Sequence, residues 1–307
     1  MPVTQLIRFS LTVADLAGAA AFYRDSLGLE LGPERAFRDP IWNNLLGLEP
    51  DTAARTISVS IGDQSLELVA FDARGEPYPS NRASNDQWFQ HFALVCHEIA
   101  RTAERLNDGG SGNKVTKGPP VKLPPNTGGV TAFKFRDPEG HPLELISFPP
   151  GVGAAIWQEA RGEGILGCDH TAIAVMDLDR SIAFYSGLLG FRVASRSLNH
   201  GTEQDRLDDL VGCTVDVVAL EPAIVDTPHV ELLHYRMPTG RASASPIQAN
   251  DVASARQVHK VDDLGTLVER LKANGTTFVS PGMVMLNDGK KAAAVLDPDG
   301  HMILLVE

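Results

Sequence analysis

Two histidines, His91 and His170, stand at the head of short apolar stretches: His91-Phe92-Ala93-Leu94-Val95 and His170-Thr171-Ala172-Ile173-Ala174-Val175. An imidazole so placed transfers protons near neutral pH, offers nitrogen to a cation, or serves as a hydrogen-bonded structural residue. Two further histidines close a repeated turn, Asp137-Pro138-Glu139-Gly140-His141 and Asp297-Pro298-Asp299-Gly300-His301. Their place in a turn fits shaping it better than catalysis. Carboxylates sit inside two apolar runs, Pro142-Leu143-Glu144-Leu145-Ile146 and Val230-Glu231-Leu232. On an antiparallel strand with an open face, such a glutamate can be no more than a solvated residue. The charged run Glu203-Gln204-Asp205-Arg206-Leu207-Asp208-Asp209 reads as solvated surface or as a substrate-facing loop.

The elements that must position these residues are readable from periodicity. From His170 to Val175 the side chains alternate, with Thr171, Ile173 and Val175 on a bulky face and His170, Ala172 and Ala174 on a small one. The bulky face suits packing under a helix. Asp177 caps a helix beginning near Leu178, whose stripe is Leu178, Ile182, Tyr185 and Leu189. The same grammar recurs with Leu16, Ala20, Tyr23 and Leu27, with Ile99, Ala103 and Leu106, and with Leu264, Val268 and Leu271. In all four cases the first stripe residue lies eight positions after a head residue, which is Arg8, His91, His170 or Arg256. Repetition at a fixed register means repeated structural units. The chain therefore reads as four strand–helix–strands modules over residues 3–71, 88–148, 165–235 and 255–307, grouped as domains 1–150 and 165–307. Within the second module, Gly118-Pro119-Pro120 through Gly128-Gly129 breaks regular strand and predicts a loop over a pocket.

Composition narrows the class of function. The 307 residues suffice for two ordinary domains, and 43% hydrophobic with 21% charged content is that of a soluble globular protein. A net charge of −12 argues against nucleic acid or an anionic membrane surface as partner. No apolar run reaches membrane-spanning length, and the N-terminus lacks a signal-peptide pattern. Three scattered cysteines, Cys96, Cys168 and Cys213, suit a reducing compartment, so a cytoplasmic enzyme or binding protein is expected. No glycine-rich phosphate loop or nucleotide fingerprint points to an organic cofactor.

The chain resembles the vicinal oxygen chelate superfamily, which holds glyoxalase I, bleomycin-resistance proteins, extradiol dioxygenases and methylmalonyl-CoA epimerases. The residues that carry the likeness are Asp169-His170-Thr171-Ala172-Ile173-Ala174-Val175 with Phe184-Tyr185, Leu189-Gly190-Phe191, and the two Asp-Pro-acidic-Gly-His turns. It implies an α+β fold of four βαβββ modules making two curved mixed-sheet half-barrels. It also implies that each module offers two ligand positions, the head of its first strand and one site in its last. In this sequence those are Arg8 and Glu67, His91 and Glu144, His170 and Glu231, and Arg256 and Leu304. Only modules two and three keep the full pair, so His91, Glu144, His170 and Glu231 form the expected set for one divalent ion, Zn, Ni, Co, Mn or Fe.

These four meet only if module two closes onto module three and module one onto module four. The alternative, one with two and three with four, would leave Glu67, His91 and Glu144 in one cup. The intact quartet favours the former, with Arg8, Glu67, Arg256 and Leu304 in a second cup without metal. The reaction implied is an isomerase, epimerase or lyase step on a small substrate with vicinal oxygens, in which the metal stabilises an enediolate and Glu144 or Glu231 is the base. A ring-cleaving dioxygenase is the alternative, and a non-catalytic small-molecule-binding protein a further one. A homodimer is a possible assembly.

Overall fold

The computed structural model describes residues 2–108 and 113–307. Module one comprises β1 (Val3–Thr12), α1 (Leu16–Asp25), β2 (Glu30–Leu31), β3 (Arg35–Arg38), α2 (Pro40–Leu45), β4 (Ala53–Ile61) and β5 (Gln64–Phe71). Module two comprises β6 (Gln90–Cys96), α3 (Ile99–Asp108), β7 (Asn113–Lys114), β8 (Val121–Lys122), β9 (Thr131–Arg136) and β10 (Pro142–Ser147). A connecting helix α4 (Ala155–Glu159) leads to module three: β11 (Ile165–Ala174), α5 (Leu178–Ile182), β12 (Arg192–His200), α6 (Thr202–Asp208), β13 (Thr214–Glu221) and β14 (His229–Met237). Module four holds β15 (Ala255–Val261), α7 (Leu264–Ala273), β16 (Val284–Met285), β17 (Lys291–Leu296) and β18 (Met302–Val306).

Each module opens the same way because the same local chemistry is repeated. Asp15, Asp177 and Asp263 accept hydrogen bonds from the backbone N–H of Gly18, Arg180 and Thr266, capping α1, α5 and α7. The helix carries the chain back so that the first and last strands of each module pair in parallel: β1 with β5, β6 with β10, β11 with β14, β15 with β18. Modules then join through antiparallel pairs of their first strands. β1 pairs with β15, and β6 with β11. Two mixed sheets result, β16-β17-β18-β15-β1-β5-β4-β2 with β3 on β4, and β12-β13-β14-β11-β6-β10-β9-β7 with β8 on β9. Module one thus shares a sheet with module four, and module two with module three.

One face of each sheet enters a common core with the helix stripes Leu16, Ala20, Tyr23, Ile99, Ala103, Leu106, Tyr185, Leu264, Val268 and Leu271. Phe9 and Phe92, one from each sheet, stack there at 5.3 Å. The other face of each sheet is the cup. The alternation read at His170 is obeyed, with Ile173 and Val175 in the core and Ala172 and Ala174 in the cup of the second sheet.

The two Asp-Pro-acidic-Gly-His turns lock these layers. Asp137 Oδ1 accepts from the backbone N–H of Glu139, Gly140 and His141, while Oδ2 accepts from His141 Nδ1 at 2.8 Å and from Tyr23 OH at 3.1 Å. The Glu139 carboxylate then accepts from Ala14 N and Asp15 N, at the entry to α1. Module four repeats the device on module three, where Asp297 accepts from Tyr185 OH, Asp299 accepts from Met176 N and Ser181 Oγ, and His301 Nε2 lies 3.0 Å from Ala174 O. Sheets tie one to four and two to three. Turns tie one to two and three to four. The modules close into a ring.

Three local features differ from the sequence reading. The helix of module three, α5, is α-helical only to Ile182 and continues as a π-helical turn, Ala183–Leu188, which brings both Phe184 and Tyr185 inward. The Pro/Gly-rich stretch is not wholly loop, since Val121–Lys122 pairs with β9 and Pro125–Thr127 forms a 3-10 turn. The charged run over 203–209 includes most of α6, with Gln204, Leu207 and Asp208 buried and the rest more exposed. Amphipathic spacing hidden among charges explains that difference.

Replacing Asp137 by Ala leaves several buried donors without an acceptor and is expected to lower the unfolding free energy by about 3 kcal/mol. Tyr23→Phe removes a single donor from the same carboxylate and should cost about 1 kcal/mol. Urea denaturation of both variants measures the pair; equal effects would show that the carboxylate is not the hub.

Candidate metal centre

Three strands of the second sheet aim polar side chains into the cup because they carry them on its alternating inner face. β6 brings His91 beside Ala93 and Val95, β10 brings Glu144 beside Ile146, and β14 brings Glu231 beside Leu233 and Tyr235. β11 brings His170 with a local irregularity. Its pairing with β6 slips by one residue between Cys168 and His170. This bulge lets adjacent residues meet side by side, Asp169 Oδ2 with His170 Nδ1 at 3.0 Å. Asp169 is held in turn by Trp157 Nε1 of α4 at 2.5 Å. Gly167 makes room for that indole, since a Cβ there would lie 2.6 Å from the Trp157 ring.

The donors converge. One ligand atom each of His91, Glu144 and His170 lies within 4.8 Å of the other two. His91 Nε2 is 3.2 Å from Glu144 Oε2, and the rings of His91 and His170 are 5.8 Å apart. Glu231 joins from the more open side, its Oε2 3.6 Å from His170 Nε2 and its side chain 21% exposed. Neither ring nitrogen of His91 makes a well-formed hydrogen bond among the described residues, although the ring is buried. A buried imidazole whose nitrogens make no well-formed hydrogen bond is costly, and its nitrogen lone pair is the kind of group a cation satisfies.

Electrostatics point the same way. Burial pushes the His170 pKa down, but the charges of Glu231 and Asp169 outweigh it and raise the value to about 9. Burial works against ionised Glu231 too, yet His170 and His229 hold it at about 2. The two shifts describe one tightly coupled pair, a carboxylate beside an imidazolium. Glu144 is likewise held below its ordinary value against burial, by His91 and the charge of Lys134, while burial lowers His91. Asp169, Glu144 and Glu231 bring three carboxylates to the donor set, an excess of negative charge that suits a divalent cation. The Asp169 contact at Nδ1 leaves His170 Nε2 facing the other donors, the usual outer support for a metal-bound histidine. The residues therefore fit such an ion.

The model of the Glyoxalase/Bleomycin resistance protein/Dioxygenase superfamily matches residues 5–145 and 167–305. The chain belongs to this superfamily. A lactoylglutathione lyase of Arabidopsis thaliana is 25% identical over 300 residues, covering 96% of this chain and 88% of that protein. A lactoylglutathione lyase of Salmonella typhimurium is 29% identical over 146 residues, which is 46% of this chain and 91% of that shorter protein. Among solved structures, glyoxalase I of Zea mays superposes with a TM-score of 0.64 at 19% identity, covering 99% of this chain and 92% of that one.

As a superfamily member the protein departs from its own symmetry in the first sheet. There Arg256, only 1% exposed, donates to Ser10 Oγ, Thr12 Oγ1, Ser254 Oγ and Ala249 O. Ser10 passes a hydrogen bond on to Glu67 Oε2 at 3.1 Å, and Arg8 approaches Glu67 at 4.0 Å. Burial lowers the Arg256 pKa to about 10, opposed by Glu67. Leu304 lies in an apolar cluster with Val258, Met302 and Leu46 that fills the rest of this cup.

Sequence reading placed none of five residues around the donor set there. His229 precedes Glu231 on the same face and approaches it at 3.6 Å, a signal that strand alternation alone could have supplied. Lys134, Asp169, Trp157 and Asp208 depend on tertiary contacts. Arg256→Met should lower the unfolding free energy by about 3 kcal/mol, because it strands buried hydroxyl and carbonyl partners. Chemical denaturation measures this, and an unchanged midpoint would show that the network carries no stability.

Proposed function

We propose that the protein is a divalent-metal-dependent lyase or isomerase of glyoxalase type, holding its ion with His91, Glu144, His170 and Glu231. The convergence of His91, Glu144 and His170, with Asp169 behind His170, is the observation that carries this reading. The relatives named lactoylglutathione lyases support the reaction class. Lactoylglutathione carries a hydroxyl and a thioester carbonyl on adjacent carbons, with a proton on the hydroxyl-bearing carbon that the carbonyl acidifies. A substrate of that pattern, a small molecule with vicinal oxygens, is the class proposed.

When bound, the ion would supply Lewis-acid stabilisation of charge on the substrate oxygens. The protein supplies the rest. Glu231 is the proposed base: it lies on the open side of the donor set, 3.6 Å from His170 and from His229 and fixed to neither by a short hydrogen bond. Glu144, buried between His91 and Lys134, remains a ligand. The apolar lining of the cup, Phe89, Ala172, Ala174 and Leu233, excludes water from the proton being moved. A second reading is ring cleavage by dioxygen, since His91, His170 and Glu144 are two histidines and a carboxylate, the facial set used by non-haem iron. The cytoplasm is the proposed location, in keeping with three free buried cysteines. Among the described residues no helix is long and apolar enough to cross a membrane.

Asp169→Asn keeps the shape but removes the charge behind His170, and is expected to weaken zinc binding by about 10- to 100-fold. Titration of metal-stripped protein with zinc reads this out. Glu231→Gln should lower turnover by about a hundredfold or more and retain most of the bound metal. With lactoylglutathione in deuterated water, the parent should wash out the carbon-bound proton, followed by NMR, and Glu231→Gln should do so far more slowly. Stoichiometric oxygen consumption with a catechol, and no proton exchange, would establish the dioxygenase reading instead.

A further inference from the structure

Beside the donor set, the cup holds one buried ammonium. Lys134 lies on β9 directly across the strand pair from Glu144. Its Nζ is 3.8 Å from Glu144 Oε2 and 2.6 Å from Asp208 Oδ1, and its side chain is 4% exposed. Lysine is almost never buried so fully without a partner. The partner here comes from another module. Asp208 ends α6, its carboxylate is fully buried, and it also accepts from Gln204 Nε2 at 2.7 Å and Tyr235 OH at 3.1 Å. With its acceptors engaged from several sides, Asp208 is fixed, and it fixes the ammonium.

An ammonium has three N–H donors. Asp208 takes one. Glu144 lies beyond hydrogen-bond distance, and the Phe89 ring is 5.7 Å from Nζ. No hydrogen bond other than the one to Asp208 engages Lys134 Nζ among the described residues. A charge here is also expensive for the neighbouring donors, because a cation beside Glu144 repels any ion that Glu144 would bind. A pair needed only for packing could be replaced by apolar side chains without loss of stability. The cup thus retains a cation with spare donors where it weakens metal binding, an arrangement that gains its value when a negative group enters.

We propose that Lys134, positioned by Asp208, is an anion-binding group of this cup, donating hydrogen bonds to a negatively charged oxygen of the bound substrate. The inference rests on the metal reading above and deepens it: the substrate is one whose vicinal oxygens carry negative charge when bound. Lys134 is then a substrate-touching residue and Asp208 a positioning residue.

The test uses the double variant Lys134→Met with Asp208→Asn, which removes both charges and leaves no buried carboxylate unpaired. Lys134→Arg, which keeps the charge, is the control. Zinc titration of metal-stripped protein and calorimetric binding of oxalate, a dianion with oxygens on adjacent carbons, to zinc-loaded protein are the readouts. The double variant should bind zinc about tenfold more tightly and oxalate at least about tenfold more weakly, while Lys134→Arg stays within about threefold of the parent in both. A structural lysine would not move the two affinities in opposite directions. Lys134→Gln, which keeps a donor toward Asp208, repeats the measurements if thermal melting shows the double variant unfolded. Equal oxalate affinity in zinc-loaded parent and variants overturns this inference alone. A parent that takes up no zinc overturns the metal reading, and this inference with it.

Discussion

Two buried carboxylates, Asp137 and Asp297, hold the architecture together. Each gathers the backbone of its own turn and the hydroxyl of a tyrosine from the preceding module's helix. A carboxylate in an apolar core is tolerable only with such partners, and their number makes its position unique. Because the partners come from different modules, satisfying one group also sets the angle between two of them. The sheets supply the other two joints through β1/β15 and β6/β11. Misplacing any joint would open the ring, and misplacing the β6/β11 joint would also separate His91 from His170, which lie on different modules.

The two cups show how the same frame accepts opposite chemistry. In the second sheet, Glu144 and Glu231 gather around His91 and His170, and neither nitrogen of the buried His91 ring makes a well-formed hydrogen bond among the described residues. In the first, Arg256 already occupies the centre and is satisfied by hydroxyls and a carbonyl, with Glu67 at one remove. Aromatic and aliphatic side chains, Trp42, Leu46 and Met302 among them, fill the remaining volume. One cup gathers imidazoles and carboxylates of the kind that could hold a cation. In the other, the guanidinium of Arg256 stands among hydroxyls and a carbonyl where the donors would be.

The fold was legible because it repeats. A fixed spacing of eight residues from strand head to helix stripe, seen four times, set the register of every first strand, and Asp177 marked the start of one helix, as Asp15 and Asp263 do for two more in the structure. The candidate donors were legible only through register combined with family resemblance, since a glutamate in an apolar strand says nothing of its face by itself. What surrounds them was not. Asp169 turns toward His170 through a bulge that leaves no trace in the sequence, and Asp208 is buried by α6 packing across a module boundary. The π-helical turn at Ala183–Leu188 was equally silent, because its residues satisfy the α-helical stripe as well. Local pattern encodes which way a strand faces; it does not encode which distant element arrives to meet it.

Each sheet draws one module from each half of the chain, so neither half encloses a cup by itself. Two copies of a half-length chain closing the same ring would be bound by two-fold symmetry to carry identical cups. Covalent continuity removes that obligation. Once both halves lie on one polypeptide, a substitution at Arg256 or Leu304 has no counterpart forced upon His91 or Glu144. The connector around α4 is therefore more than a tether: it permits the two cavities to vary as separate traits, so that one can be filled by side chains while the other keeps its imidazoles and carboxylates.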